Sequence, residues 1–242
     1  MMTTTLKNTV MLNTLHKICE SNNLNVVDID IDISNMEARL AIPNEKNVNQ
    51  EFYLLLECNI MSDDFVDVFL NEHIETIMNK IEELEYSDES TSKNSTLILC
   101  CPSDSISERS LIRIEENPYF FKKNIITYSQ NELTELTTKI GKSFNNEMLN
   151  SLLMSDGGDN FEKFKTVSLE ENSFYPLLIR IMTKLPFVHY IAQDNQLDSL
   201  DQFIKNNLSQ FDNNLLSYIC DDDHVFSDDL INQKISTDWN LL

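Results

Sequence analysis

Hydrophobic and polar residues alternate along two neighbouring segments near the N-terminus. In Val26–Ser34, valine and isoleucine share one face while three aspartates occupy the other, and Met36–Ile42 alternates in the same way. A period of two residues over this length predicts two half-buried strands. The intervening Ser34-Asn35 pair predicts a two-residue hairpin between them.

Two later segments are almost continuously apolar. Glu51–Cys58 and Thr96–Cys101 contain few polar residues, which predicts central strands that are buried on both faces of a sheet. Apolar residues recur with helical spacing in three other stretches, residues 5–20, 62–84 and 131–140. Ser62 has the side chain that helix N-termini prefer, so we expect the second helix to begin there.

The second half of the chain has a different pattern. Residues 154–160 contain two of the three glycines and are the best candidate for a linker. Beyond them the spacing of apolar residues is helical, with predicted helix starts near Ser173 and Asp198. We therefore predict an α/β (α+β) protein with an N-terminal mixed sheet flanked by helices and a helical C-terminal part. The predicted domains are residues 1–153 and 161–242, the second packed on the first.

The net charge is strongly negative but unevenly distributed. The 242 residues have a formal charge of −22, yet residues 104–142 hold six acidic and six basic residues. Duplex DNA requires a basic face, so we expect contact with nucleic acid only indirectly, through a complex. The acidity serves solubility in one interpretation, and in another it mimics DNA or docks on a basic partner.

The composition also indicates the cellular compartment of the protein. The apolar runs are too short to span a bilayer, and the N-terminal residues lack the apolar core of a signal peptide. Five cysteines at irregular spacing predict reduced thiols. We expect a cytoplasmic protein that does not contact a membrane.

Motifs for calcium and nucleotide binding are incomplete. An EF-hand loop that starts at Asp28 needs glycine in place of Ile33 and glutamate in place of Arg39. The segment Gly141–Ser143 resembles the end of a phosphate loop, but that loop needs glycine where Leu136 stands, and it should follow a strand. We predict neither site.

The element order of residues 5–101 matches the αβββαβ core of the PD-(D/E)XK nucleases. Such an enzyme needs Asp on the second strand and Glu-x-Lys on the third, whereas this chain offers Glu37, and Glu57 followed by Asn59. Asp221–His224 is expected to be a solvated turn rather than a metal site. We therefore predict no catalytic, cofactor-binding or metal-binding residues and no enzyme activity. A degenerate nuclease-like scaffold stays open as an alternative.

One segment, Ser110–Ser129, differs from the rest of the chain. It contains a proline, four aromatic residues and three basic residues. Pro118 ends any preceding helix, and the consecutive rings Tyr119–Phe121 diverge because adjacent side chains point apart. In one interpretation at least one ring faces outward beside Lys122 and Lys123, which is a composition typical of protein interfaces. In the other, all three rings pack inside the domain.

This segment resembles one found in the middle component of bacterial ABC-three-component systems, of which the Lamassu defence systems are one branch. The family pattern is Ile-Glu, two acidic residues, Pro-Tyr-aromatic-Phe and two basic residues, then a strand that ends in Tyr and a Glu-rich helix. The matching residues are Ile114, Glu115, Glu116, Pro118, Tyr119, Phe120, Phe121, Lys122, Lys123 and Tyr128. Asn117 stands in place of an acidic residue, and Asn124 in place of an aromatic one.

The resemblance implies a non-catalytic accessory subunit of an anti-phage or anti-plasmid complex. Its expected partners are an SMC- or Rad50-like ATPase and a separate effector protein, with no cofactor of its own. The alternative functions are a phage-encoded acidic inhibitor that mimics DNA, and a degenerate nuclease-like protein. The expected partner-binding residues are Arg113, Pro118, Tyr119, Phe120, Phe121, Lys122, Lys123 and Tyr128.

Overall fold

The computed structural model describes residues 10–44, 51–85, 87, 91, 93–142, 144–166, 173–191, 204, 207–210, 212–213 and 216. The contacts within the chain define two compact units, Met1–Ile191 and Ala192–Leu242. Most of the helix predicted after Asp198, and all of Asp221–His224, lie outside the described residues.

A five-stranded mixed sheet forms the centre of the first unit. Its spatial order is β1-β2-β3-β4-β5. The first three strands form an antiparallel meander, and β3, β4 and β5 are parallel. The strands are β1 (Leu24–Ile29), β2 (Met36–Pro43), β3 (Phe52–Cys58), β4 (Ser95–Pro102) and β5 (Lys122–Tyr128). This confirms the predicted fold class and the αβββαβ order of the N-terminal part.

Helices cover both faces of this sheet. The chain forms α1 (Val10–Ser21), α2 (Asp63–Val68), a π-helical turn (Phe69–His73), α3 (Ile74–Glu82), α4 (Glu108–Glu115), α5 (Gln130–Ile140), α6 (Asn146–Leu153), α7 (Asp159–Lys165) and α8 (Tyr175–Lys184). Ser62 caps α2 as predicted, because its hydroxyl accepts a hydrogen bond from Phe65 N at 3.3 Å. Among the described helices, none combines the length and apolar character that crossing a membrane requires.

Strand alternation divides the buried side chains into two cores. On β3, Leu54 and Leu56 pack in the core shared with α2, α3 and α4, whereas Tyr53 and Leu55 pack in the core shared with α1, α5, α6 and α8. All seven residues of β3 are buried, as the continuous apolar run predicts. The middle of the sheet is therefore enclosed on both faces.

The first hairpin differs from its prediction. β1 ends at Ile29 rather than Ser34, so residues 30–35 connect the strands in place of the predicted two-residue turn. Asp32 and Asn35 adopt left-handed backbone angles, with φ of 54° and 67°. Both residue types tolerate this conformation, which lets the chain leave the strand early.

The first compact unit continues past the predicted linker, residues 154–160, as far as Ile191. The physical reason is that α8 buries Tyr175, Leu177, Leu178 and Ile181 in the core that contains α1 and one face of the sheet.

The outer edge of β5 is closed by side chains. Glu115, at the end of α4, accepts a hydrogen bond from Ile125 N at 2.8 Å and pairs with Lys184 of α8 at 2.6 Å. Asn124 donates to Lys184 O at 2.7 Å. The bond from Ile125 N occupies a backbone donor that an incoming strand would use, so it protects this part of the edge from further strand pairing.

Replacing Glu115 is expected to destabilise the first unit. Glu115→Ala leaves the buried Ile125 N–H without its acceptor and removes the ion pair with Lys184. An unsatisfied buried donor costs about 1–3 kcal/mol. Urea unfolding followed by circular dichroism measures this loss. Glu116→Ala, an exposed neighbour, is the matched control and should change stability by less than about 0.5 kcal/mol. Equal stability of the two variants would contradict this role of Glu115.

Candidate functional site

The loop between α4 and β5, Asn117–Phe121, is the aromatic loop of this structure. Helix α4 ends at Glu115, two residues before the loop, because the residue before Pro118 is disfavoured in helical conformation. The loop begins with an Asx turn, in which Tyr119 N donates to Asn117 Oδ1 at 3.2 Å. Aspartate forms the same turn, which explains why asparagine suits a position where the family pattern has an acidic residue.

The tip of the aromatic loop is a strained γ-turn. Phe121 N donates to Tyr119 O at 3.0 Å, and Phe120 between them has a φ of 67°. A three-residue turn whose central residue has positive φ is rare, and it is unfavourable for a bulky side chain. Strain of this kind persists only where surrounding contacts enforce it, and it clusters at functional sites.

This turn separates the three consecutive rings. Tyr119 is 66% exposed and Phe120 is 44% exposed, whereas Phe121 is buried in the core beside β4 and β5. The prediction that at least one ring faces outward is confirmed. The structure presents two adjacent aromatic side chains to solvent.

Lys123 holds the aromatic loop in place from inside the protein. The residue is only 4% exposed. Its Nζ donates to three loop carbonyls: Asn117 O at 2.9 Å, Tyr119 O at 2.6 Å and Phe121 O at 2.9 Å. These acceptors match the three donors of an ammonium group. Burial lowers the pKa of the Lys123 ammonium to about 8.

The structure divides the predicted partner-binding residues into two groups. Lys122 and Pro118 are exposed, and Arg113 is about half exposed and forms an ion pair with Asp67. The surface group is therefore Arg113, Pro118, Tyr119, Phe120 and Lys122. The buried group is Phe121, Lys123 and Tyr128, of which Tyr128 also lines the cavity at the ends of the parallel strands.

The burial of Lys123 was not predicted from the sequence, although the two-residue periodicity of the strand indicates it. Side chains two residues apart on a strand share one face. Lys123 lies between Phe121 and Ile125, both of which belong to the same core. A lysine between two core residues indicates a buried ammonium, which must be hydrogen-bonded.

A cavity of about 730 Å³ opens at the carboxyl ends of β3, β4 and β5. Its described lining is Val10, Glu57, Asn59, Ile60, Pro102, Ser103, Asp104, Ser105, Tyr128, Ser129, Gln130 and Leu133. Each of the three parallel strands contributes the residues at or just after its end. This is where ligands bind in open α/β sheets.

Glu57 is a buried carboxyl group in this cavity. Oε1 accepts a hydrogen bond from Tyr128 Oη at 2.6 Å, and Oε2 accepts one from Leu12 N at 3.0 Å. Burial raises the pKa of Glu57, while the hydrogen bonds from Tyr128 and Leu12 act in the opposite direction. Burial beside Glu57 also raises the pKa of Tyr128. Through its two hydrogen bonds, the Glu57 carboxyl group thus links β3 to α1 and to β5.

The described residues offer little conventional catalytic chemistry. No group of three or more His, Cys, Asp or Glu side chains that could hold a metal ion occurs among them. The four described cysteines are buried, and burial raises the pKa of the Cys19 and Cys101 thiols to about 12. Such thiols are poor nucleophiles because the thiolate is the reactive form.

Two substitutions at Glu57 should separate the contribution of its hydrogen bonds to stability from the contribution of its negative charge. Glu57→Gln keeps an oxygen for Leu12 N and an amide group that donates to Tyr128 Oη, so we expect a small change in stability. Glu57→Ala leaves both buried donors without an acceptor, at about 1–3 kcal/mol each. Urea unfolding of both variants at pH 7 tests this difference. A Gln variant as unstable as the Ala variant would contradict the assignment.

The unfolding free energy should depend on pH through Lys123. Its pKa is about 8 in the folded chain, against about 10.4 for an ordinary lysine. Between these values the unfolded chain binds more protons, so the contribution of Lys123 to stability rises with pH. The stability difference between wild type and Lys123→Met should therefore shift in favour of wild type between about pH 8 and 10.

Chemical denaturation across this pH range measures that difference, and Lys122→Met is the exposed control. Because all other titrating groups are common to the two chains, they cancel in the comparison. A difference that stays constant with pH, or one that Lys122→Met reproduces, would contradict the buried position of the Lys123 ammonium.

Residues 51–156 match the model of a family described as ABC-three component (ABC-3C) system Middle Component 1. The matching segment runs from β3 to just beyond α6 and includes the aromatic loop, Lys123, Glu57 and Tyr128. This similarity confirms the predicted resemblance to middle components of ABC-three-component systems. It does not separate the Lamassu branch from other branches. No curated protein and no solved structure matches the chain.

Proposed function

We propose that this protein is the middle component of an ABC-three-component defence system that acts against phage or plasmids, of the Lamassu type. In this proposal it is a non-catalytic subunit that binds an SMC- or Rad50-like ATPase and links it to a separate effector in the cytoplasm. The observation that carries the proposal is the family match over residues 51–156. ATP hydrolysis and any cleavage of nucleic acid would belong to the partners.

Two features of the chain support a non-catalytic role. The segment that resembles a phosphate loop, Gly141–Ser143, follows the end of helix α5 at Ile140 instead of a strand. At the end of β3, Asn59 occupies the position where a nuclease of the PD-(D/E)XK type needs lysine. Neither phosphate binding nor activation of water is favoured by these residues.

The aromatic loop is the surface that we assign to the partner. Tyr119 and Phe120 are exposed although large aromatic side chains favour burial, and Lys122 lies beside them in sequence. Aromatic side chains supply much of the binding energy at protein interfaces. A loop that is fixed before binding loses less conformational entropy on association. The γ-turn and the buried Lys123 provide this fixed geometry.

Charge supports the same assignment. Residues 104–142 carry balanced charge within a chain of net −22. A docking surface in this segment thus has no net formal charge of its own, unlike the acidic remainder of the chain. Any contact with nucleic acid would come through the assembled complex.

Substitutions in the aromatic loop should abolish partner binding without loss of folding. Phe120→Gly removes the exposed ring and also relieves the positive-φ strain, so its melting temperature should equal or exceed that of wild type. Tyr119→Ala and Lys122→Glu remove an exposed ring and reverse an exposed charge. Each ring variant should cost about 2 kcal/mol or more of binding if it is a hot spot.

Co-purification with a candidate SMC- or Rad50-like ATPase, together with thermal melting, measures both effects. Phe161→Ala is the matched control, because Phe161 is an aromatic residue of α7 that is 45% exposed. We expect this control to co-purify normally. Normal co-purification of all three loop variants would overturn the assignment of the loop.

A further inference from the structure

The cavity at the carboxyl ends of β3, β4 and β5 has a polar floor that is not saturated. Glu57 is 4% exposed, and each of its oxygens accepts one hydrogen bond, from Tyr128 Oη and from Leu12 N. A carboxylate offers about four acceptor positions. Acceptor capacity therefore remains on a buried carboxyl group that lines an open cavity.

The charged residues of the cavity wall all have one sign. Glu57 lies at the floor and Asp104 is exposed at the rim, and none of the described lining residues is lysine, arginine or histidine. Phosphate or carboxylate ligands would meet repulsion from both groups. A cationic group would be attracted to both, and at Glu57 it would add to the attraction that Arg39 already exerts.

Four apolar residues of the lining suit an aliphatic stem. Val10, Ile60, Pro102 and Leu133 supply apolar surface, and Ile60 is 58% exposed where it stands. Lysine and arginine cover such surface with their methylene groups while the charged end reaches a polar partner. The cavity volume of about 730 Å³ is within the usual range for small-ligand sites, about 300–1,000 Å³.

We propose that this cavity is a receptor for an alkyl guanidinium or alkyl ammonium group, whose charged end pairs with Glu57 and Asp104 and whose stem packs on Val10, Ile60 and Leu133. The group belongs either to an arginine or lysine side chain of a protein or to a free polyamine. The inference is independent of the proposed function, because it concerns a different surface from the aromatic loop.

Three probes with the same short stem test the class of ligand. Butylguanidinium is cationic, butylurea is its neutral analogue, and pentanoate is anionic. Each is titrated at millimolar concentration into the full isotope-labelled chain at constant ionic strength, and amide NMR shifts are followed. Butylguanidinium alone should move the amides of residues 57–60, 103–105 and 128–130. Absence of binding, or equal binding of butylurea or pentanoate, would overturn the proposal.

Two substitutions test which carboxyl groups attract the cation, and a third controls for the net charge of the chain. Asp104→Asn, at the exposed rim, should weaken butylguanidinium binding about fivefold or more, and Glu57→Gln should weaken it further. Asp64→Asn removes one exposed carboxylate in α2, outside the cavity, and should leave binding unchanged. If Asp64→Asn weakens binding as much as Asp104→Asn, the attraction is general and the site is refuted. Asp104→Asn is decisive even if Glu57→Gln fails to fold.

The same titration distinguishes the two sources of the cation. Spermidine and the blocked peptide Gly-Gly-Arg-Gly-Gly are compared at equal concentration. Tighter binding of the peptide supports a protein side chain as the ligand, and tighter binding of spermidine supports a polyamine. If neither moves the amides that butylguanidinium moves, the cavity does not accept a natural cation and the proposal fails.

Discussion

The burial of β3 and β4 on both faces, and of most of β5, is the constraint on which the site depends. A polar side chain on such a strand is removed from water, so it must find its hydrogen-bond partners inside the protein. Glu57 finds Leu12 N and Tyr128 Oη, and Lys123 finds three loop carbonyls. Each of these two sets of hydrogen bonds links the end of a strand to a neighbouring element. The cavity and the aromatic loop are built around these two groups.

The energetics favour a loop that is fixed rather than mobile. A residue held at a sparsely populated backbone conformation costs about 1–3 kcal/mol, and Phe120 is such a residue. A hydrogen bond from a charged donor contributes about 1.5–3 kcal/mol, and Lys123 makes three of them. These contacts hold loop carbonyls on both sides of Phe120, while the lowered pKa of Lys123 reflects the cost of burying its ammonium. Phe120 therefore stays exposed at a defined position.

The segment that resembles the middle-component family is a structural unit whose residues have different tasks. Glu115 closes the edge of β5, Phe121 anchors the loop in the core, and Lys123 fixes its carbonyls. With these contacts in place, the side chains of Tyr119 and Phe120 point outward. The residues that carry the resemblance therefore include both the buried framework of the loop and its exposed rings.

The sequence by itself determined the order of elements along residues 5–101, the buried strands and the cap at Ser62, because these follow from local periodicity and capping chemistry. It did not determine the early end of β1 at Ile29, the packing of α8 into the main core, or the burial of Lys123. Only the tertiary structure decided these, and it alone brought Leu12, Glu57 and Tyr128 together, since the partners are up to 71 residues apart. Contacts across such separations depend on how the strands pair and which helix covers each face, which no local pattern records.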